Sequence, residues 1–134
     1  MTQDKLARMA DVTKAIYMTE FQKVQGLLEE EARLRKELAR LRAQSEQGRE
    51  TLQTDPSMQA VGADLLWQSW LNRTQRQLNM DLARVMARKL TAMDRVRRAF
   101  GKQSAVQSML ETRDRERREK ARKKALETLL NRHV

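Results

Sequence analysis

Apolar residues return every three or four positions over the first third of this chain. Val24, Leu27, Leu34, Leu38 and Leu41 keep heptad-like spacing. Upstream, Leu6, Met9, Val12, Ile16 and Phe21 continue the stripe with a local slip of phase, which hairpin coiled coils accommodate. The pattern predicts a helix over about 3–47. Glu31 falls on its seam. There it either weakens the packing locally or marks a place where a partner arginine is held. A second stripe passes through Val61, Leu65, Leu71, Leu78, Leu82, Val85, Met93, Val96 and Phe100. It predicts a helix over about 56–131. Gly101 is a candidate bend, although a lone helical glycine costs only about 1 kcal/mol against alanine.

One break separates the two stripes. Gly48 is suited to a left-handed helix cap. Thr54-Asp55-Pro56-Ser57 reads as a turn followed by a helix start. Asp55 can accept from the first free amides, and Pro56 fits the first helical position, where no donor is needed. The turn is therefore expected at about 48–56, with Gly62 a second soft point. Neither long helix can bury its stripe alone, and the nearest partner is the other. The fold class that follows is all-α: a long antiparallel two-helix coiled-coil hairpin with a C-terminal helical overhang, one domain over 1–134. About 45 to 50 paired residues per arm give a rod of ~70 Å at 1.5 Å per residue.

Composition agrees. Aromatic residues make up 4% of the chain and Pro56 is the sole proline, while helix formers dominate. No window alternates apolar and polar positions with β-branched enrichment, so a sheet is not expected. The chain has no cysteine, which removes disulfides and thiolate metal sites. Its one histidine, His133, has no second histidine with which to bind metal. Neither a phosphate-binding glycine loop nor a nucleophile elbow occurs, and a two-helix rod offers no pocket that excludes water. The sequence therefore predicts no catalytic residues, no metal, no cofactor and no small-molecule substrate. It also lacks a run of ~20 apolar residues and an apolar h-region after the first charges, which leaves the cytoplasm as the expected location.

Charge changes the picture more. Net charge is +10, and residues 72–103 hold nine basic and two acidic side chains. At about 100° per residue, Arg73, Arg76, Arg84, Arg88, Arg95, Arg98 and Lys102 fall within roughly 120° of one another. Only Asp81 and Asp94 lie among them. A helix that needed only solubility would interleave both signs. The stripe points to an anionic partner. A basic helical nucleic-acid-binding protein is one alternative, weakened by the absence of a zipper after the basic region and of aromatics for base stacking. A structural or membrane-surface coiled coil is another, weakened by the lack of an aromatic-rich apolar face beside the cationic one. Glu29-Glu30-Glu31, the one acidic run, reads as a solvated face countered by Arg33, Arg35 and Lys36.

Two further features suggest contact surfaces. Trp67 flanks the seam and reads as core or core edge. Trp70 points away from it, beside Leu66, Arg73, Thr74 and Gln77. An aromatic ringed by polar groups has the composition of a binding hot spot; the alternative is that Trp70 folds back over the first helix near Leu41. From Glu111 to Lys124 the only apolar residue is Ala121, and Glu111–Arg115, Asp114–Arg118, Glu116–Lys120 and Glu119–Lys123 stand at i,i+4 with the acid first. Such pairs each add about 0.2–0.5 kcal/mol to an isolated helix. Ala125, Leu126, Leu129 and Leu130 then form an apolar knob. A solvated shaft ending in that knob suggests insertion into a partner's socket; the alternative is packing on the first turn of the first helix.

The order of these features resembles the FliJ/YscO family, the small basic coiled-coil proteins of flagellar and type III secretion export. The resemblance rests on Leu65-Leu66-Trp67-Gln68-Ser69-Trp70-Leu71-Asn72, on Arg95-Val96-Arg97-Arg98-Ala99-Phe100 and on the charged run from Arg113 to Lys124. It implies a stalk or adaptor that links a hexameric export ATPase to a membrane export gate protein, with export chaperones as further partners. It also implies a cytoplasmic location, peripheral at the inner membrane. A gate-facing strip would fall on Leu66, Trp70, Arg73, Thr74, Gln77 and Asp81. An ATPase-facing tail would carry Arg113, Arg117, Arg118, Arg122, Lys123, Lys124, Leu126, Leu129 and Leu130. The unequal arms and the Asp55-Pro56 start depart from the family pattern and leave the register of that strip open.

Overall fold

The computed structural model describes residues 2–54 and 62–133. They form two helices that pack against each other, α1 over Gln3–Thr54 and α2 over Ala63–Arg132, of 52 and 70 residues. Among the described residues there is no strand. Two compact units result: a central unit, Lys23–Ala92, and a terminal unit, Met1–Gln22 with Met93–Val134.

Each helix start has a local cause. The Thr2 carbonyl accepts from the Leu6 amide at 3.1 Å, and its hydroxyl accepts from the Lys5 amide at 3.4 Å. Thr2 thus caps α1, with Asp4 in the first turn where the helix dipole favours negative charge. At α2 the residue before the helix is Gly62, with φ +72°, a conformation L side chains rarely adopt. Its carbonyl accepts from the Leu66 amide at 3.3 Å, and the Asp64 carboxylate accepts from the Leu65 amide at 2.9 Å.

In the central unit α1 turns positions 24, 27, 31, 34, 38, 41, 45 and 48 inward, alternating steps of three and four. The matching positions of α2 are 64, 67, 71, 74, 78, 82, 85, 89 and 92. The consecutive four-residue steps from 74 to 78 to 82 are a stutter, which locally unwinds a supercoil. Leu34, Leu38, Leu41, Leu71, Val85 and Ala92 form the buried core here. In the terminal unit the inward positions are 3, 6, 10, 13, 17 and 20 of α1 and 96, 99, 103, 106, 110 and 113 of α2. Leu6, Ala99 and Val106 are buried.

This spacing corrects the sequence reading in three places. There is no phase slip in the first helix: Met9, Val12, Ile16 and Phe21 are exposed, and Ala10, Thr13 and Tyr17 take the inward positions. Within each unit the packed helices keep one seam phase, so smaller residues are turned in where larger ones stand beside them. Thr13 tolerates this because its hydroxyl donates back to the Met9 carbonyl at 2.8 Å. For the same reason Ala92 and Ala99 are buried, whereas Phe100 is exposed and Met93 half-buried. Leu65, placed on the stripe, is 74% exposed; the inward residues around it are Asp64 and Trp67.

The third correction concerns Gly48. It is no left-handed cap, since α1 continues through it to Thr54 instead of ending near 47, and among the described residues Gly62 is the glycine with positive φ. Glycine is required at 48 by proximity. A Cβ there would lie 2.8 Å from Cε2 of Trp67 and closer still to its Nε1. The second helix is present from Ala63. Asp55, Pro56, Ser57 and Val61, and with them the expected helix start at 56, lie outside the described residues.

Candidate functional site

Within the central unit an ion cluster built on one buried carboxylate sits at the seam. Glu31 is 8% exposed. Lys89 Nζ donates to its Oε2 at 2.8 Å and Arg35 Nη2 to its Oε1 at 3.0 Å. The bond from Lys89, then that from Arg35, holds the Glu31 carboxyl below its ordinary value. Glu31 does hold a base of the other helix, but that base is Lys89 and not the arginine expected; the arginine on it, Arg35, comes from its own helix. Its neighbour Glu30 accepts from Arg33, which also donates to Glu37 at 2.7 Å. The acidic run is not the solvated face expected, because Glu31 is buried and held across the seam by Lys89. The bond from Arg33 lowers the Glu30 carboxyl, and Glu30 in turn raises the Arg33 guanidinium.

The first half of α2 presents the aromatic surface. Trp67 and Trp70 stack with ring centroids 5.3 Å apart and planes inclined by 23°. Trp67 lies against Gly48 with its Nε1 buried and lacking an acceptor. It is core edge, as the sequence indicated. Trp70 remains 42% exposed, and Leu66 stands well out of the packed surface. Arg73 and Gln77 are exposed beside them. Thr74 occupies an inward position and is half-buried, so it supports the strip from beneath. Asp81, also half-buried, accepts from Gln77 Nε2 at 3.0 Å.

Every member of the basic stripe is exposed. Arg73, Arg76, Arg84 and Arg88 belong to the central unit, Arg95, Arg98 and Lys102 to the terminal unit. Arg98 pairs with Asp94 at 2.6 Å. No salt bridge among the described residues engages the other six.

The terminal unit also carries the overhang. From residue 115 to 133 every side chain is exposed, although α2 continues to Arg132. Arg122, Lys123, Lys124, Leu126, Leu129 and Leu130 all lie on this stretch; Arg113, just before it, is half-buried. Of the four acid-first pairs expected, Asp114–Arg118 is present at 3.1 Å, and Asp114 also takes Arg117 at 3.0 Å. Arg115 turns from Glu111 to the Thr112 hydroxyl at 3.4 Å. Asp114 serves two arginines because it stands at i−3 and i−4 to them at once. Packing of the leucine knob on the start of α1 is not observed: Leu126, Leu129 and Leu130 are each more than half exposed.

Sequence reasoning missed an apolar row in the terminal unit. Met9, Val12 and Ile16 are exposed on one flank of α1. The even spacing of Leu27, Glu31, Leu34, Leu38 and Leu41, carried back toward the start of α1, reaches Leu6 in step and would have left these three outside. No helix among the described residues is long and apolar enough to cross a membrane. No family model, curated protein or solved structure matches this chain.

Proposed function

We propose that this chain is a non-enzymatic stalk or adaptor, an antiparallel coiled-coil hairpin of the FliJ/YscO type that joins a hexameric protein-export ATPase to a membrane export gate protein. In the central unit Glu31 meets Lys89 and Gly48 meets Trp67, so rising numbers on α1 match falling numbers on α2, which supports the antiparallel reading. One observation carries the functional reading: residues 115–132 stay helical with every side chain exposed, and they bear seven cations and then Leu126, Leu129 and Leu130. A self-supporting cationic shaft with an apolar knob fits a socket lined by acidic loops, as a ring ATPase can offer. The exposed strip of Leu66, Trp70, Arg73 and Gln77 is the second contact, toward the gate. Individual exposed ion pairs contribute about 0–1 kcal/mol each, so binding is collective and weakens with salt.

The test is direct. The full chain binds a hexameric export ATPase and raises its hydrolysis rate, and deletion of residues 115–134 removes both effects. Equal binding by the full and shortened chains rejects the assignment of the tail. A nucleic-acid reading is favoured by one observation, the exposed Arg73, Arg76, Arg84 and Arg88, which no salt bridge among the described residues engages. Filter binding across a salt series decides it, because phosphate contacts give a steep logarithmic slope.

A further inference from the structure

The terminal unit places two rows side by side that belong to different classes of surface. On α1 stand Met9, Val12 and Ile16, the last two 56% and 50% exposed. On the adjoining flank of α2 stand Arg95, Arg98 and Lys102. A groove of about 210 Å³ lies at the Ile16 end of the α1 row, with Thr13, Ile16 and the half-buried Glu20 on one wall and Arg95, Arg98, Ala99 and Lys102 on the other. Arg95 and Lys102 have no salt bridge among the described residues. The floor is shallow because small residues, Thr13 and Ala99, occupy the inward positions.

We propose that this groove is a docking site for an amphipathic helix of a partner protein, one whose apolar edge is flanked by Asp and Glu. A helix lying along the groove would seat its apolar edge on Met9, Val12 and Ile16 and turn its carboxylates to Arg95 and Lys102. Arg95, Arg98 and Lys102 outnumber the single lining carboxylate, Glu20, so charge complementarity selects the occupant. A second copy of this chain, with net charge +10, would bring its own cations to the groove. A neutral apolar helix would leave the cations without partners. The apolar row supplies affinity and the cations select sign and direction, the usual division of labour when a helix binds a groove. The inference builds on the adaptor reading but uses a different surface from the tail and from the Trp70 strip, so the two can fail separately.

The probe is a synthetic three-heptad helix with leucine at its a and d positions and glutamate at e and g, labelled for fluorescence anisotropy, titrated with the full chain. Binding is expected, weakening as salt rises. R95E/K102E is expected to weaken it about tenfold or more, roughly the effect of 1.4 kcal/mol. V12S/I16S is expected to weaken it as well. All four positions are exposed, and circular dichroism checks that the variants keep their helices. A shortened chain lacking 115–134 binds the probe as the full chain does, whatever the fate of ATPase binding. Three results would overturn the proposal: a lysine-flanked version of the probe binding equally well, indifference to R95E/K102E, or anionic phospholipid vesicles floating the protein while the acidic helix leaves it unbound.

Discussion

The indole of Trp67 fills the space that a side chain on residue 48 would need. A Cβ on Gly48 would come within 2.8 Å of Trp67 Cε2. Glycine therefore stands inside α1 because α2 brings its largest side chain against that turn.

Gly48→Ala is accordingly expected to destabilise the protein, although alanine is the better helix former by about 1 kcal/mol. Overpacking of a tight contact costs about 1–3 kcal/mol, and the indole is also stacked on Trp70. Gly26→Ala and Gly101→Ala are expected to stabilise by about 0.5–1 kcal/mol, since an added Cβ there meets nothing within 4 Å. Urea denaturation of the three variants measures the contrast. A rise in stability for Gly48→Ala would contradict the packing described.

Acid is expected to weaken the central unit through Glu31. Its carboxyl is held below the ordinary value of 4.5 by Lys89 and Arg35. A carboxyl whose folded value is depressed contributes stability that is complete above the unfolded value and is lost as pH falls through the folded one. Thermal midpoints should fall as pH drops below about 4.5, and Glu31→Gln should lower the midpoint at neutral pH while flattening that acid limb. Glu31→Leu alone leaves Lys89 without its partner and should destabilise. Glu31→Leu with Lys89→Leu should recover or exceed the parent midpoint, because well-packed apolar pairs commonly match or surpass buried ion pairs.

Much of this was legible in the residues, and the misses share a cause. Leu34, Leu38 and Leu41 are large and correctly spaced, so apolarity and inward position coincide, and the helix pair follows. Glu31 was legible as a seam residue in need of a base because its neighbours fix the phase on both sides. Toward the start of α1 the coincidence fails: Met9, Val12 and Ile16 are more apolar than Ala10 and Thr13, yet they lie outside. Seam membership is a matter of phase, and phase is set by the whole helix, not by the most apolar residue nearby. Gly48 misled for a related reason. A glycine signals either a left-handed turn or a close approach, and only the opposite helix says which.

The overhang is expected to be dispensable for folding. Residues 115–133 bury no side chain, so deletion of 115–134 should leave the urea midpoint of the remaining protein nearly unchanged while total helical ellipticity falls. Asp114→Ala removes the acceptor of both Arg117 and Arg118 and is expected to cost under about 1 kcal/mol, the scale of exposed pairs. A large loss of stability on deletion would mean that the shaft packs on the rest of the chain.

The phase of α1 can be tested by exchanging size for position. Leu6 is 1% exposed, whereas Val12 shows more than half its surface to solvent. If buried position governs, Leu6→Ala should cost about 2–5 kcal/mol, toward the lower bound because the helix end can relax into the space. Val12→Ala removes two methyl groups that already face water, and it should fall within about 0.5 kcal/mol of the parent. If instead the stripe through Met9, Val12 and Ile16 were the true seam, the order would reverse. The same comparison bears on the docking groove. A Val12 whose replacement leaves folding unchanged but lowers affinity for an acidic helix is a surface residue held in place by the seam beside it.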